Sequence, residues 1–295
     1  MSNDHNEQWH ENRRTGIGGS DAAAVLGMSK WKTPYQVWRE KVYGERQPDN
    51  GQFERGRDLE SFIRGKYEKE TGKSVVMPSF LRLSEFPYIC GNLDGVIHGD
   101  RKVVEFKTSL FDDWGDEPPI EYVLQCQHYL LLTGYDEADL VVLILSTWKI
   151  KTFHIHADKE LQDLMVENYQ KFWKHVEDKT PPDPVNCEDL KLMFPASKSN
   201  SRTLSATAID ACNSIKEMKK QVADLQGAIE ELEFQIKNEL QDSDTGVDAD
   251  GKTICTWKTS KPRQTIDSAR LKAEEPGIYN SFLKQGTSSR TFLIK

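Results

Sequence analysis

The sequence predicts an α/β (α+β) fold with a central β-sheet flanked by helices, and three observations support this class. A continuous apolar run at 140–145 is typical of a strand that is buried on both faces of a sheet. The alternating stretch 151–156 follows it and predicts an antiparallel neighbour. Helical patterns precede and follow these strands, at 53–70, 120–133 and 159–177. Strands that alternate with helices in this way indicate helices packed on the faces of a sheet.

Length and composition restrict the class of protein further. The 295 residues can form one large domain, or a main domain with an appendage. The 39 basic and 47 acidic residues give a net charge of −8, which argues against nonspecific coating of nucleic acid but allows a locally basic channel. No apolar run approaches the ~20 residues of a membrane span and no signal segment is evident. We therefore expect a cytoplasmic protein that has no membrane partner.

The stretch 91–108 predicts a β-hairpin, with its turn at 98–100, that gathers acidic and basic side chains. Glu105 and Lys107 are two residues apart on the second strand and therefore project from one face. Asp94, expected inside the first strand, can lie beside them across the hairpin. Two carboxylates suit Mg²⁺ or Mn²⁺, and a lysine beside them can orient a water. The alternative is a surface hairpin with ordinary charges, although its apolar flanks indicate partial burial.

Two earlier segments carry further candidate residues. Arg13 and Arg14 precede a glycine loop and a helix start that Ser20 or Asp21 can cap. This arrangement is either a phosphate cradle or a capping motif only. Glu60 lies next to the apolar stripe of the 53–70 helix, so it either points inward from the edge of the core or is a solvated helix residue.

Two later segments carry polar side chains at regular spacing. Tyr122, Gln125 and Tyr129 recur at helical spacing on one face of the 120–133 helix. His154 and His156 share a face of the 151–156 strand, and we interpret them as solvent-facing rather than as metal ligands.

The C-terminal third predicts an appendage. The segment 180–201 is rich in Pro, Ser and Asp and is interpreted as a linker between a domain at 1–179 and a C-terminal extension at 202–295. In the extension, apolar residues recur at alternating spacings of three and four, which is typical of a heptad seam. The seam consists of Ile215, Met218, Val222, Leu225, Ile229, Leu232 and Ile236. A helix of about 35 residues and ~50 Å would carry it, either in a coiled coil or packed along the main body.

A small α/β tail is expected after this helix. It contains a strand at 253–258, a helix capped by Asp267 and a last strand at 291–294.

Four motifs in chain order resemble the YqaJ-like viral recombinase family, the phage nucleases that include lambda exonuclease. They are the glycine loop with Ser20, the helix with Glu60, the hairpin with Asp94 and Glu105-Phe106-Lys107, and the helix with Gln125. The family is part of the PD-(D/E)XK nuclease superfamily, and the superfamily's proline near the first Asp is missing here. The resemblance covers roughly residues 13–175 and is most specific at 16–23, at Gly56 with Glu60, and at 91–95 with 105–107. It implies a restriction-endonuclease-like core with a mixed sheet.

The resemblance also implies a mechanism for hydrolysis of a phosphodiester. Asp94, Glu105 and the main-chain carbonyl of Phe106 would hold one Mg²⁺, and Glu60 would contribute to a second ion. Lys107 would orient and activate the attacking water. Manganese would be an acceptable substitute for magnesium.

Other family positions imply contacts with the substrate. Gln125 would steady Lys107 or a substrate phosphate, while Arg14, Ser20 and Tyr122 would bind the DNA and its 5′ phosphate. A hydroxyl, a guanidinium and a helix N-terminus are suitable phosphate donors.

The activity implied by the resemblance is a 5′→3′ exonuclease on double-stranded DNA ends, in the bacterial host cell of a phage or prophage. It would leave a 3′ single strand for an annealing recombinase of the same phage. The alternatives are an endonuclease or repair nuclease without end dependence and a catalytically silent DNA-binding module. The family further implies a ring-shaped homotrimer, against which the heptad seam offers a coiled-coil dimer.

Overall fold

The computed structural model describes residues 11–45, 51–97, 99–286 and 289–295, so the predicted turn residue His98 lies outside the described part. The chain divides after Met193 into two compact units. The first unit has a central mixed sheet with helices on its faces, which confirms the predicted α/β class.

Five strands form the central sheet of the first unit. They are β1 (Val75–Val76), β4 (Gly95–Ile97), β5 (Lys102–Ser109), β6 (Glu137–Ile144) and β7 (Lys149–His156), in the order β1-β4-β5-β6-β7. Neighbours are antiparallel except β5 and β6, which are parallel and therefore require a crossover helix. Strands β2 (Leu81–Arg82) and β3 (Cys90–Gly91) pair separately.

Besides a helical turn at 11–14, the described part of the first unit has six helices. They are α1 (Gly19–Val25), α2 (Pro34–Tyr43), α3 (Gly51–Thr71), α4 (Ile120–Thr133), α5 (Lys159–Glu177) and α6 (Cys187–Met193). Local chemistry fixes several helix ends. Thr33 and Gln36 form a reciprocal capping box at the start of α2. Gly134, with φ of +65°, ends α4 in the left-handed conformation, as predicted.

Alternation along β5 separates its side chains between two apolar layers. Val104 and Phe106 pack with Ile63 and Tyr67 of α3 on one face. Val103 packs on the opposite face in the cluster that also contains residues of α4. Because side chains two apart share a face, Glu105 and Lys107 point to the α4 side, where Glu105 is fully buried.

The second unit contains a long helix, a hairpin and two short helices. These are α7 (Ala206–Leu240), β8 (Thr245–Val247) paired antiparallel with β9 (Thr253–Thr256), α8 (Ser268–Glu274) and α9 (Pro276–Ser281). The length of α7 is 35 residues, and Ser205 caps it by accepting from the Ala208 N–H at 3.2 Å. Asp267 caps α8 as predicted, accepting from the Arg270 N–H at 2.9 Å.

Several predicted elements differ from the structure. Asp94 lies in a bend directly before β4 rather than inside the strand. The segment 180–201, interpreted as a linker, contains α6, because buried Asp189 accepts hydrogen bonds from the Thr33 hydroxyl (2.8 Å) and the Val185 N–H (3.1 Å). No strand forms at 291–294, where nothing in the described chain pairs with the backbone as a strand.

None of the helices in the described ranges combines the length and apolar character that crossing a membrane requires.

Candidate active site

The hairpin of β4 and β5 positions the predicted acidic pair. Gly95 lies opposite Val104 in the antiparallel register, so Asp94 is one step further, at the level of Glu105. The Phe106 N–H donates to Oδ2 of Asp94 at 2.9 Å, which fixes the half-buried aspartate beside β5. The structure therefore brings Asp94 to the same place as Glu105, although Asp94 lies outside the strand.

Glu105 is a buried carboxylate with one oxygen held and the other free of hydrogen bonds. Its Oε1 pairs with the Lys107 ammonium and accepts from Nε2 of Gln125 at 2.6 Å. Its Oε2 is buried and has no hydrogen-bond partner among the described residues. Burial and the neighbouring charge of Asp94 raise the pKa of Glu105 to about 8, although Lys107 acts in the opposite direction. Additional positive charge at this point would stabilise the ionised form.

Lys107 stays charged at neutral pH. Burial opposes its ammonium, but the carboxylates of Glu105 and Asp94 outweigh burial and raise the pKa of Lys107. Its Nζ lies 5.4 Å from the ring centroid of Tyr122, within range of a cation–π contact. A permanently protonated lysine donates hydrogen bonds to a water or phosphate oxygen, so orientation suits it better than proton abstraction.

Glu60 is a third acidic group near this pair. It accepts from the Arg64 guanidinium at 3.0 Å within α3 and is half-buried. Burial and the charge of Asp94 raise the pKa of Glu60, against the opposing effect of Arg64. The inward orientation weighed for Glu60 therefore agrees with its surroundings better than full solvation does.

The oxygen atoms at this site suit a divalent cation, although they do not form a complete set of ligands. Within the described ranges, no group of three His, Cys, Asp or Glu side chains is arranged closely enough to hold an ion. Carboxylate oxygens of Asp94 and Glu105 are nevertheless the ligands that Mg²⁺ prefers. The unbonded Oε2 of Glu105 and its raised pKa fit a site that requires one more positive charge.

The glycine loop lies against the same region. Ile17 forms a parallel β-bridge with Ile89. The Ile17 N–H donates to the Tyr88 carbonyl at 2.6 Å, and the Ile17 carbonyl accepts from the Cys90 N–H at 3.0 Å. A side chain at Gly19 would meet the Tyr129 ring at 2.6 Å. Tyr129 in turn accepts from Gln125 at 3.2 Å. Contacts therefore run continuously from the loop to Glu105, and Gln125 contacts Glu105 rather than Lys107.

The structure brings Arg13, rather than the predicted Arg14, to Ser20. The Arg13 guanidinium donates to the Ser20 hydroxyl and to Oδ1 of Asp21, each at 3.1 Å. Arg14 pairs instead with Glu11 at 2.9 and 3.0 Å on the exposed surface. The sequence offers no signal that distinguishes two adjacent arginines.

Asp21 is buried and accepts from the Gly18 N–H at 3.3 Å at the start of α1, which confirms the predicted capping role, but the sequence did not indicate its basic partners. It also accepts from the Lys41 ammonium at 2.6 Å. Burial opposes its ionisation, but Lys41, Arg13 and Lys32 outweigh burial and lower the pKa of Asp21. This ionised carboxylate holds basic side chains beside the glycine loop.

Aromatic side chains form a wall around Tyr122. Trp114 stacks on Tyr122 with ring centroids 5.0 Å apart, and Trp31 lies 5.9 Å away on a tilted plane. The neighbouring Glu121 is buried, and neither of its oxygens has a hydrogen-bond partner among the described residues, although Lys30 approaches to 3.7 Å. The sequence did not single out Glu121, since a glutamate in a first helical turn is usually solvated.

Comparisons with known sequences agree with the order of these motifs. Residues 8–136 match the YqaJ-like viral recombinase domain. The chain is 33% identical over 310 residues to the uncharacterized protein YqaJ of Bacillus subtilis (strain 168). The aligned region covers 98% of this chain and 94% of that protein.

Solved structures share the fold of the first unit. An alkaline exonuclease from Laribacter hongkongensis is 21% identical, with a TM-score of 0.50 over 63% of this chain and 97% of its own. The same enzyme in complex with dAMP gives a TM-score of 0.51 with the same identity and coverage. Both comparisons show a shared fold over 63% of this chain, and the mixed central sheet agrees with the prediction. The extent and level of the match to YqaJ show that this chain belongs to the YqaJ-like viral recombinase family.

Proposed function

We propose that this protein is a metal-dependent nuclease that hydrolyses phosphodiester bonds of double-stranded DNA. The single observation that carries the proposal is buried Glu105, with one oxygen held by Lys107 and Gln125 and the other without a partner. A buried carboxylate of raised pKa beside a second carboxylate and a lysine indicates a functional site rather than a structural one. Membership of the family and a fold shared with an alkaline exonuclease support the same activity.

The residues of the candidate site have separate roles in hydrolysis. Asp94, Glu105, the Phe106 carbonyl and Glu60 would hold Mg²⁺, which supplies Lewis-acid stabilisation of charge on the phosphate. Lys107 donates a hydrogen bond that orients the attacking water, because its charge is maintained by the adjacent carboxylates. Gln125 fixes the Glu105 oxygen that Lys107 also contacts, and so keeps both groups in place.

The finer proposal is a 5′→3′ exonuclease that acts on linear duplex ends and leaves a 3′ overhang for a phage annealing recombinase. Arg13 and Ser20 present a guanidinium and a hydroxyl together beside the glycine loop, which suits a terminal 5′ phosphate. Tyr122 would contact the DNA from the aromatic wall above Lys107. An endonuclease without end dependence is the second candidate.

A plasmid assay separates these activities. We expect degradation of linear plasmid with Mg²⁺ or Mn²⁺, no degradation with EDTA, and survival of the closed circular form. Cleavage of the closed circle would favour the endonuclease. Degradation in excess EDTA would contradict the metal-dependent mechanism.

The ring-shaped homotrimer stays a prediction from the family. Such a ring would enclose the DNA and retain an acidic protein on it without strong electrostatic attraction. Light scattering coupled to gel filtration tests it, because a ring requires a mass that is a multiple of three chains.

A further inference from the structure

Helix α7 exposes the apolar seam that the heptad pattern predicts. Six seam side chains have exposed fractions between 48 and 65%: Met218, Val222, Leu225, Ile229, Leu232 and Ile236. No other side chain of the described ranges covers them to the extent expected of a core. A contiguous apolar stripe of this length marks an interaction surface.

The charges of α7 are distributed unevenly along its length. The half before Gly227 carries a basic group of three lysines, Lys216, Lys219 and Lys220. The half after Gly227 carries an acidic group of three glutamates, Glu230, Glu231 and Glu233. Asp210, Glu217 and Asp224 offset the three lysines of the first half, so the complementarity lies beside the seam rather than between whole halves. Lys219 and Glu233 lie on the same flank of the seam, one before and one after Gly227.

We propose that α7 forms an antiparallel two-stranded coiled coil with α7 of a second copy of this chain, centred on Gly227. In this register Met218 packs against the partner's Ile236, Val222 against the partner's Leu232, and Leu225 against the partner's Ile229. The layers between Met218 and Ile236 are then all apolar, whereas Ile215 lies level with the partner's Glu239. Lys219 faces the partner's Glu233 along the flank of the seam.

The seam residues match in size across the antiparallel pair, and the flanking charges favour that direction. The first seam position of each heptad is β-branched, at Ile215, Val222, Ile229 and Ile236, so each layer between Met218 and Ile236 combines a β-branched residue with a leucine or methionine. A parallel pair would place the lysine group level with the partner's lysine group and the glutamates level with glutamates. The antiparallel pair places opposite charges together instead.

The two-fold contact has a consequence for the size of the assembly. If the first unit forms a trimeric ring, these helices join two rings into six chains; otherwise they form a dimer. In both cases the loss of the seam halves the mass of the particle, which makes the proposal independent of the trimer prediction.

Light scattering on the full chain tests the contact. We expect a variant with Leu225→Glu and Ile229→Glu to have half the mass of the unchanged protein. The matched control is Phe234→Glu, because Phe234 is equally exposed, at 63%, but lies on the opposite side of the helix from the seam. Far-UV circular dichroism confirms that the first unit stays folded. Equal masses for the seam variant and the unchanged protein would overturn the proposal.

Charge reversal tests the direction of the helices. Lys219→Glu should weaken association about tenfold, because two attractive pairs become repulsive. Combining it with Glu233→Lys should restore association above that of either single variant. Lys220→Glu, on the outer face, should have little effect. Failure of the double variant to recover would contradict the antiparallel register.

Cysteine crosslinking gives a second measurement of direction, in a chain whose Cys187, Cys212 and Cys255 are changed to serine. Two differently tagged variants, Leu225→Cys and Ile229→Cys, should crosslink to each other after mixing. A parallel pair would crosslink each variant to itself, and that pattern would overturn the antiparallel arrangement.

Discussion

The two units differ in which kind of group they leave without a partner. In the first unit buried carboxylate oxygens lack a hydrogen-bond partner among the described residues: Oε2 of Glu105 and both side-chain oxygens of Glu121. In the second unit apolar groups lie on the surface along α7, in which Leu240 alone is buried. Both arrangements are unfavourable for an isolated chain.

This difference indicates what each unit requires from outside. A buried carboxylate with an unpartnered oxygen is stabilised by nearby positive charge, so the first unit is suited to binding a cation and a charged substrate. An exposed apolar stripe calls for another apolar surface, so the second unit is suited to assembly. Substitutions that affect one requirement and leave the other intact test the comparison.

The largest effect is expected from the acidic pair. Asp94→Ala and Glu105→Gln should each reduce DNA hydrolysis by at least ~10³, because loss of a metal ligand removes several kcal/mol of transition-state stabilisation. The rate on linear duplex with Mg²⁺ measures this, while light scattering should show an unchanged mass. Glu137→Gln is the control, since Glu137 lies in the same sheet but pairs with Lys102 at 2.9 Å. Near-normal hydrolysis in either folded variant would remove the assignment.

Lys107→Ala should separate cutting from binding. We expect hydrolysis to fall by ~10²–10³, the usual loss when one hydrogen-bond donor that stabilises the transition state is removed, while affinity for the duplex changes little. Fluorescence anisotropy with labelled duplex in Ca²⁺ measures binding, and Lys151→Ala in β7 is the control. A parallel loss of binding and cutting would show that Lys107 is a phosphate contact only.

The preference for a 5′ phosphate tests whether residues of the glycine loop bind the DNA end. The unchanged protein should digest a 5′-phosphorylated duplex about tenfold faster than the 5′-hydroxyl duplex, since a charged hydrogen bond contributes ~1.5–3 kcal/mol. Ser20→Ala and Arg13→Ala should reduce that ratio. Arg14→Ala should preserve it, because Arg14 pairs with Glu11. The reverse result would support the original assignment of Arg14.

The raised pKa of Glu105 predicts a pH dependence of stability in EDTA. The folded protein holds the proton more tightly than the unfolded chain, so this contribution is complete below a pH of about 4.5 and is lost as the pH rises through about 8. We expect the Tm to fall by several degrees over that window, given ~2–4 °C per kcal/mol. Differential scanning calorimetry measures it. Glu105→Gln should flatten the dependence, and an equally steep profile in that variant would contradict it.

The smallest effect is expected from the seam. Leu225→Glu should leave the hydrolysis rate of a short linear duplex within about twofold, because Leu225 is exposed in the second unit and the site residues all belong to the first. Single-turnover assays measure the rate. A loss comparable to that of Lys107→Ala would show that assembly completes the active site, and the contrast between the units would then fail.

Periodicity predicted most of the fold because each main element has a strong local pattern. The buried run of β6, the alternation of β7 and the capping residue Asp267 all act within a few residues of sequence. Strands β2 and β3 form a separate sheet, and strand periodicity does not state which strand a segment pairs with. Their separate pairing depends on contacts distant in sequence.

The candidate site was less completely predictable for the same reason. The shared face of Glu105 and Lys107 was predictable from their spacing on one strand. Although Asp94 lies in a bend, its carboxylate still accepts from the Phe106 N–H. The contact between Arg13 and Ser20 depends on how a helical turn at 11–14 enters the glycine loop, which no local pattern encodes. Burial of Glu121 likewise depends on distant packing.

The hydrogen bonds of the first unit span very different lengths of chain. Gln125 reaches Glu105 across 20 residues, whereas Thr33 reaches Asp189 across 156 and the Trp38 indole reaches the His175 carbonyl across 137. Closing a longer loop costs more chain entropy, and contacts of high sequence separation slow folding. The contacts of the acidic pair therefore close short loops, whereas the contacts of α2 with α5 and α6 can form only after both of those helices have been synthesised.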